Sequence, residues 1–251
     1  MEKIAENFNI SRVFEYTVEA GRADTITEEK LLAIKSGGAK RISVNPQTLN
    51  NEVLEKIGRK HSAKQFEEAF ELSKKVGFKS INCDLIAGLP GDTAESFARS
   101  LDRLIKLNPE NITVHTLTLK RAAKLFSQSE LYKQSEDVRC MTEYSFRKLA
   151  KNGYGPYYLY RQKNTIGNQE NVGYAKSGYE CLYNIYIMEE VQTIIACGAG
   201  ASTKIFEPEN GRLTRIFNYK YPYEYIANFD EVISRKRKIS SIYSNPNANL
   251  I

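Results

Sequence analysis

Polar and apolar residues alternate with a period of two along four short stretches, and each stretch has one polar face. In residues 14–20, Glu15, Thr17 and Glu19 oppose Tyr16 and Val18. In 40–45, Arg41, Ser43 and Asn45 oppose Ile42 and Val44, and Gln47, just past Pro46, is in phase with the polar set. In 79–86, Asn82 and Asp84 oppose Ile81, Cys83 and Leu85; in 111–119, Thr113 and His115 oppose Ile112 and Val114. A period of two predicts a β-strand. Helix signals fall between the strands. Thr27 is set to cap a helix that stops at Gly37–Gly38, and Asn50 to cap a short one ending near Gly58. Ser62 with Gln65 reads as a capping box for a helix closed by Gly77, and Asp92 with Glu95 as a second box for a helix to Leu107. A long helix is expected over 136–152. Strands alternating with helices in this way define the α/β class, with a parallel sheet either open or curled into a barrel.

Strands covered on both faces normally read as near-continuous apolar runs. A polar face on four consecutive strands therefore points to a partial (βα) barrel lined for a polar ligand. Burying Glu, Arg and Asp together is costly unless they are paired or liganded. Glu19, Gln47 and Asp84 are expected at or just past strand C-terminal ends, where parallel α/β folds bind ligands. Carboxylates there suit hydroxyl donors such as a ribose diol. Arg59 could hold a ligand carboxylate bidentately, although spacing alone favours a surface salt bridge. His115 reads first as a satisfied interior histidine and second as a ligand contact. His61 reads as a surface residue near a helix start.

Composition shifts near Gly153: three of the 16 tyrosines precede it and 13 follow. This suggests a barrel domain over 1–152 and a smaller α+β domain over 153–251. In the second part, strands are expected at 157–162, 181–188 and 191–197, then a closing helix over 221–240 with a basic end and a frayed tail at 245–251. Gly198-Ala-Gly200 lacks the third glycine of a dinucleotide fingerprint and reads as a tight turn.

The chain has 251 residues, 41% hydrophobic and 26% charged, which excludes a disordered composition. No apolar run approaches the ~20 residues of a membrane helix, and residues 1–10 contain no continuous apolar stretch, so a signal peptide is not expected there. Cys83, Cys140, Cys181 and Cys197 are scattered and form no CxxC. That usage fits a reducing cytoplasm and supplies no metal site. A net charge of +6 suits an anionic small molecule as well as nucleic acid; a basic nucleic-acid module rests on that charge and the tyrosines alone and is not favoured.

Four segments together, VFEYTVEAGRADTI, RISVNPQTLN, INCDLIAGLPGDTAESF and NITVHTLTLKRAAKL, resemble consecutive strands and turns of a radical S-adenosylmethionine enzyme. GPYYLYRQKN, ENVGYAKSGYECLYNI and CGAGASTKI continue the match. The chain is most similar to the oxygen-independent coproporphyrinogen III oxidase (dehydrogenase) family, in its HemZ-like branch. The resemblance implies a barrel whose lumen holds a [4Fe-4S] cluster and S-adenosylmethionine. By position, Glu19, Gln47 and Asp84 would contact the nucleoside and Arg59 the methionine carboxylate. It further implies oxidative decarboxylation of propionates to vinyls through a 5′-deoxyadenosyl radical, in haem biosynthesis. Arg121 and Arg161 are offered as clamps for the tetrapyrrole propionates. The electron donor is not readable from the residues. The family's CxxxCxxC and glycine-rich strand are absent, so the sequence reads as a C-terminal fragment starting at the third βα unit, inactive by itself and with its first strand left as an open edge. The second functional class is a haem or tetrapyrrole chaperone that keeps the fold without the catalysis.

Overall fold

The computed structural model describes residues 1–118, 128–207 and 209–243. They form two compact units, Met1–Cys181 and Leu182–Ile251.

The first unit opens with α1 (Glu2–Asn7), β1 (Thr17–Gly21), α2 (Glu28–Ser36) and β2 (Arg41–Val44). It continues through α3 (Asn51–Lys56), α4 (Ala63–Val76), β3 (Ser80–Ala87), α5 (Ala94–Leu107) and β4 (Asn111–Thr116), and ends with α6 (Gln128–Lys151), β5 (Gly155–Tyr160) and β6 (Asn171–Ala175). The sheet order is β1-β2-β3-β4-β6-β5; the first four strands are parallel, and β6 runs antiparallel to both β4 and β5. Among the described residues β1 forms one edge of this sheet. The tyrosine-rich stretch after Gly153 thus first supplies two strands to the barrel sheet, and the compositional shift does not coincide with the division of the units at Cys181.

The helices sit where their caps place them. Thr27 and Asn50 accept from the backbone N–H of Lys30 and Glu52. Both bonds of the Ser62–Gln65 box form, and Gly77 closes α4 in the left-handed conformation, which glycine adopts without a Cβ penalty. The second box is displaced by one residue: Thr93, not Asp92, caps α5 by accepting from Ser96 N–H. Asp92 instead turns its carboxylate onto the Thr93 N–H at 3.1 Å and is buried.

Burial raises the Asp92 pKa, partly offset by hydrogen bonds from Ser96, Thr93 and Thr48 and the charge of Arg99. The fold therefore holds this proton more tightly than the unfolded chain does. Stability contributed by Asp92 is present below the ordinary carboxylate range and is lost as pH rises through the folded value. Asp92→Asn is expected to flatten that loss, so that urea midpoints of variant and wild type diverge in the variant's favour from pH 4 to pH 7.

The apolar strand faces build the core. Ile42, Val44, Ile81, Cys83, Leu85, Ile112 and Val114 pack with Leu31, Phe66, Phe70, Phe97, Leu101, Leu104 and Met141 from the surrounding helices. In α4 and α5 the buried positions recur three and four residues apart (Phe66, Ala69, Phe70, Ser73; Phe97, Ser100, Leu101, Leu104), one stripe per helix. Each fully buried large side chain contributes roughly 1.5–3 kcal/mol.

The second unit departs from the sequence expectation. Residues 181–188 were expected as a strand, but Leu182–Glu189 is a helix, α7. A short run rich in Tyr, Ile and Leu fits both periods, and length and contacts decide between them. Residues 191–197 form no strand, only a single bridge from Ile194 to Lys204. The strands are β7 (Ser202–Glu207) and β8 (Arg212–Phe217), an antiparallel pair, followed by α8 (Pro222–Ala227) and α9 (Phe229–Tyr243) in place of one closing helix. The glycine segment before β7 is a turn, as expected, with Gly198 and Gly200 at positive φ. Tyr219 ties β8 to α9: its hydroxyl donates to Glu231 at 2.7 Å and its ring faces the Arg235 guanidinium.

Candidate functional site

The polar strand face is layered. In the lowest layer Arg41 donates to the carbonyl of Tyr179 and to Asn111 Oδ1, both at 2.9 Å, and lies 3.7 Å from the Glu15 carboxylate. Ser80 donates to the same Asn111 oxygen, and Cys181 Sγ donates to Glu15. Arg41 on β2 reaching Asn111 on β4 across β3 is the geometry of a concave inner wall.

One layer up, Ser43 donates to Asn45 Oδ1 at 2.8 Å, Asn82 donates to Ser43 Oγ and Asp84 Oδ1, and Thr113 donates to Asn82 Oδ1. Ser43, Asn111 and Thr113 are buried at 0–2% exposure. The polar face is therefore an interior lining with most of its hydrogen bonds made, Thr17 Oγ1 and Arg41 Nε being buried without one.

The lining opens at Glu19, Asp84 and His115. Glu19 is exposed, Asp84 and His115 are half-buried, and His115 Nε2 lies 3.7 Å from Asp84 Oδ2. Burial raises the Glu19 pKa first; the neighbouring Asp84 charge raises it further, while a Ser43 hydrogen bond and the His115 charge pull it back. Burial alone would lower His115, but hydrogen bonding and charge from Asp84 outweigh it; Asn171 and Glu19 add to this, so His115 titrates above the ordinary histidine value. Tyr158 of β5 walls the far side. Its ring covers Gly173 so closely that a Cβ there would lie 1.9 Å from a ring carbon. Gly173 is thus required by close approach, and burial raises the Tyr158 phenol pKa.

The structure brings together Glu19 and Asp84 but treats the other expected site residues differently. Asp84 sits inside β3, level with the end of β2, because β3 runs longer than its neighbour. Gln47 is not simply in phase. Ser43 pairs with Asn82, but Gln47 bridges Leu85, so β2 carries one extra residue at Pro46–Gln47. Gln47 takes φ +67°, is buried, and is tied by its N–H to the Asp84 carbonyl.

Arg59 follows α3 and is half-buried. His61, expected at the surface, is 3% exposed. Its Nε2 lies 3.4 Å from the Pro46 carbonyl and its Nδ1 3.9 Å from Asp24, so it underlies the Gln47 turn.

Arg161 is not part of this lining. Tyr158 and Tyr160 face the lumen, and by strand alternation Arg161 takes the other side. There it pairs with Glu170 at 2.9 Å in a groove of about 510 Å³ beside Phe146 and Arg147 of α6. Arg121, with Lys120 and Lys124, lies outside the described residues. The polar neighbours Ser43 and Asn82, the His115 pairing and the Tyr158 wall were not singled out as site residues from sequence; the glycine opposite a tyrosine-rich strand was the available signal for the wall.

Among the described residues, no group of three or more His, Cys, Asp or Glu is placed to hold a metal. Cys83 is buried in the core and Cys181 is bonded to Glu15, while Cys140 and Cys197 are exposed. These residues do not fit a [4Fe-4S] cluster. The carboxylates of Glu19 and Asp84 at the open end of this face are acceptors of the kind that hydroxyl donors require.

Residues 3–104 match the Radical SAM superfamily model. That segment is a radical S-adenosylmethionine domain. The chain is 45% identical over 240 residues to the oxygen-independent coproporphyrinogen-III oxidase-like protein HemZ of Bacillus subtilis, covering 94% of this chain and 48% of that protein. It is 31% identical to the heme chaperone HemW of Lactococcus lactis, over 94% of this chain and 60% of the relative. Its fold matches the coproporphyrinogen III oxidase HemN of Escherichia coli with a TM-score of 0.66 at 22% identity, over 92% of this chain and 52% of that one. The chain spans about half the length of these relatives. Among the described residues no helix is long and apolar enough to cross a membrane.

Proposed function

We propose that this chain forms the nucleoside-binding wall of a radical S-adenosylmethionine enzyme acting on a tetrapyrrole, with oxidative decarboxylation of coproporphyrinogen III propionates to vinyls as the reaction of the whole protein. The observation that carries this reading is the presence of Glu19 and Asp84 together on one polar strand face, in a chain 45% identical to HemZ. S-adenosylmethionine would supply the radical chemistry; the protein's part is to bind and orient it. Glu19 and Asp84 would accept the ribose hydroxyls, Gln47 would stand beside them on its constrained turn, and Arg59 would meet the methionine carboxylate. Tyr158 would exclude water from the far side of the lumen. The described residues place no cluster ligands together, so no electron-transfer step is assigned to them.

The likeness to HemW supports a second reading, a tetrapyrrole-binding chaperone without turnover. The protein carrying this chain, assembled anaerobically and given S-adenosylmethionine, a reductant and coproporphyrinogen III, is expected to release carbon dioxide and form vinyl product. Haem binding with no vinyl formation would select the chaperone reading instead.

A further inference from the structure

The peptide unit between Pro46 and Gln47 is held from two sides. Its N–H, on Gln47, donates to the Asp84 carbonyl of β3 at 2.9 Å. Its C=O, on Pro46, points the other way across a trans peptide and lies 3.4 Å from His61 Nε2. The Gln47 carbonyl accepts in turn from Ile86 N–H at 2.9 Å. Gln47 sits at φ +67°, a conformation that a residue other than glycine keeps only where its surroundings over-determine it. β3 holds one side of this turn and His61 the other.

His61 comes from a separate segment. It lies in the connection between α3 and α4, two residues after Arg59 and directly before Ser62, the cap of α4. That connection is fastened at both ends: Arg59 N–H donates to the Leu54 carbonyl and Ala63 N–H to Asn51 Oδ1, both at 2.9 Å. The His61 side chain is fully buried, and its Nδ1 lies 3.9 Å from Asp24 Oδ1 in the turn after β1. Both Asp24 oxygens are taken by the Arg22 guanidinium, at 3.0 and 2.7 Å. One buried ring thus stands among the connections that follow β1, β2 and α3.

The partners fix which ring nitrogen carries the proton. A carbonyl only accepts, so Nε2 is the donor to Pro46. Nδ1 is buried without a hydrogen-bond partner, as a lone pair facing a carboxylate must be. Burial, the largest influence, lowers the His61 pKa and so favours this neutral form.

We propose that His61 is a positioning residue whose Nε2–H holds the Pro46–Gln47 peptide and so fixes the Gln47 turn against the connection that carries Arg59. The proposal rests on the nucleoside reading, in which Gln47 stands beside the ribose and Arg59 meets the methionine carboxylate. A ligand that spans both residues binds more tightly when their spacing is set beforehand, because that ordering is then not lost from the binding free energy. His61 acts through these two residues and, being buried, makes no ligand contact of its own.

Leucine at this position fills the space without a donor, whereas glutamine carries an amide N–H at about the reach of Nε2. In His61→Leu the Gln47 amide is expected to exchange with solvent about tenfold faster, the effect of losing one hydrogen bond, while amides of the β3–β4 ladder keep their protection. By calorimetry, S-adenosylhomocysteine should bind His61→Leu about tenfold more weakly, and His61→Gln should bring both readouts back to within about threefold of wild type. The chain has two histidines, so the His61 signals are those lost in the variant, and in wild type their ring nitrogen shifts should report the Nε2–H tautomer. If His61→Leu does not fold, His61→Asn, whose shorter amide does not reach the Pro46 carbonyl, takes its place.

An Nδ1–H tautomer, or wild-type exchange at Gln47 in the variant without a donor, would overturn the proposal. Equal loss of affinity in the leucine and glutamine variants would do the same, by showing that only packing matters. So would faster Gln47 exchange at wild-type affinity, since the turn would then have no bearing on the ligand. If wild type does not bind S-adenosylhomocysteine at all, the nucleoside reading fails; the exchange arm then still decides whether His61 holds the Gln47 peptide.

Discussion

Arg41→Ala is expected to destabilise the chain by about 3–5 kcal/mol, the cost of removing one partner from a buried charged network. Arg41 is largely buried; its guanidinium donates to Asn111 Oδ1 and the Tyr179 carbonyl, and its charge lies 3.7 Å from the Glu15 carboxylate. Truncation removes the cation beside Glu15 and one of the donors to the Tyr179 carbonyl, which keeps the Asn111 amide. Single domains are stable by about 5–15 kcal/mol, so this loss is a large part of the total. The measurement is urea unfolding followed by circular dichroism, with the midpoint falling and the slope kept. Arg41→Lys should rescue little, because an ammonium cannot reproduce the planar fork that spans β4 and the Tyr179 carbonyl. An Arg41→Ala midpoint within error of wild type would mean that the floor is hydrated and the layered interior is wrong.

The second large effect falls on binding. Asp84→Ala is expected to weaken S-adenosylhomocysteine binding by about 10- to 100-fold, the worth of hydrogen bonds to a charged acceptor. It should do so with little change in melting temperature, because the Asp84 side chain lies at the mouth, with its Oδ1 held by Asn82. It also removes the partner of His115, so part of the loss is indirect. Asp84→Asn separates the two effects: it keeps the shape and one acceptor while removing the charge. Equal binding by wild type and Asp84→Ala would remove Asp84 from the site. Arg161→Ala serves as the contrast. Paired with Glu170 in the groove beside α6, it should leave nucleoside binding unchanged.

Much of this site was legible from alternation alone. Glu19, Ser43, Asn82, Asp84, Thr113 and His115 are placed on one face by a period of two, which is a property of the strand and needs no partner. Their place at strand C-terminal ends singles out Glu19 and Asp84 among these, and the family segments point to the same two. Gln47 shows the limit: the extra residue at Pro46–Gln47 breaks the phase, and a bulge is set by pairing with β3 rather than by the local sequence. Arg161 shows it again. Its proximity in sequence to Tyr158 and Tyr160 suggested a shared site, yet a side chain one position on points to the opposite face.

What the sequence determined by itself is what short-range geometry controls. It specified the α/β class, the apolar stripes of α4 and α5, the Ser62–Gln65 box with Gly77 as its stop, and the existence of a polar strand face. Caps, turns and periodicities are settled within a few residues, so their signals are local. Tertiary structure alone decided which part of that face is floor and which is mouth. Arg41 and Glu15 are as polar in sequence as Asp84 and Glu19, but the curvature of the sheet closes one pair over Asn111 and Tyr179 and leaves the other open. It also decided that His61 is buried under the Gln47 turn and that Leu182–Glu189 is helical. Burial and charge pairing depend on groups brought together from more than a hundred residues apart, and no local pattern carries that information.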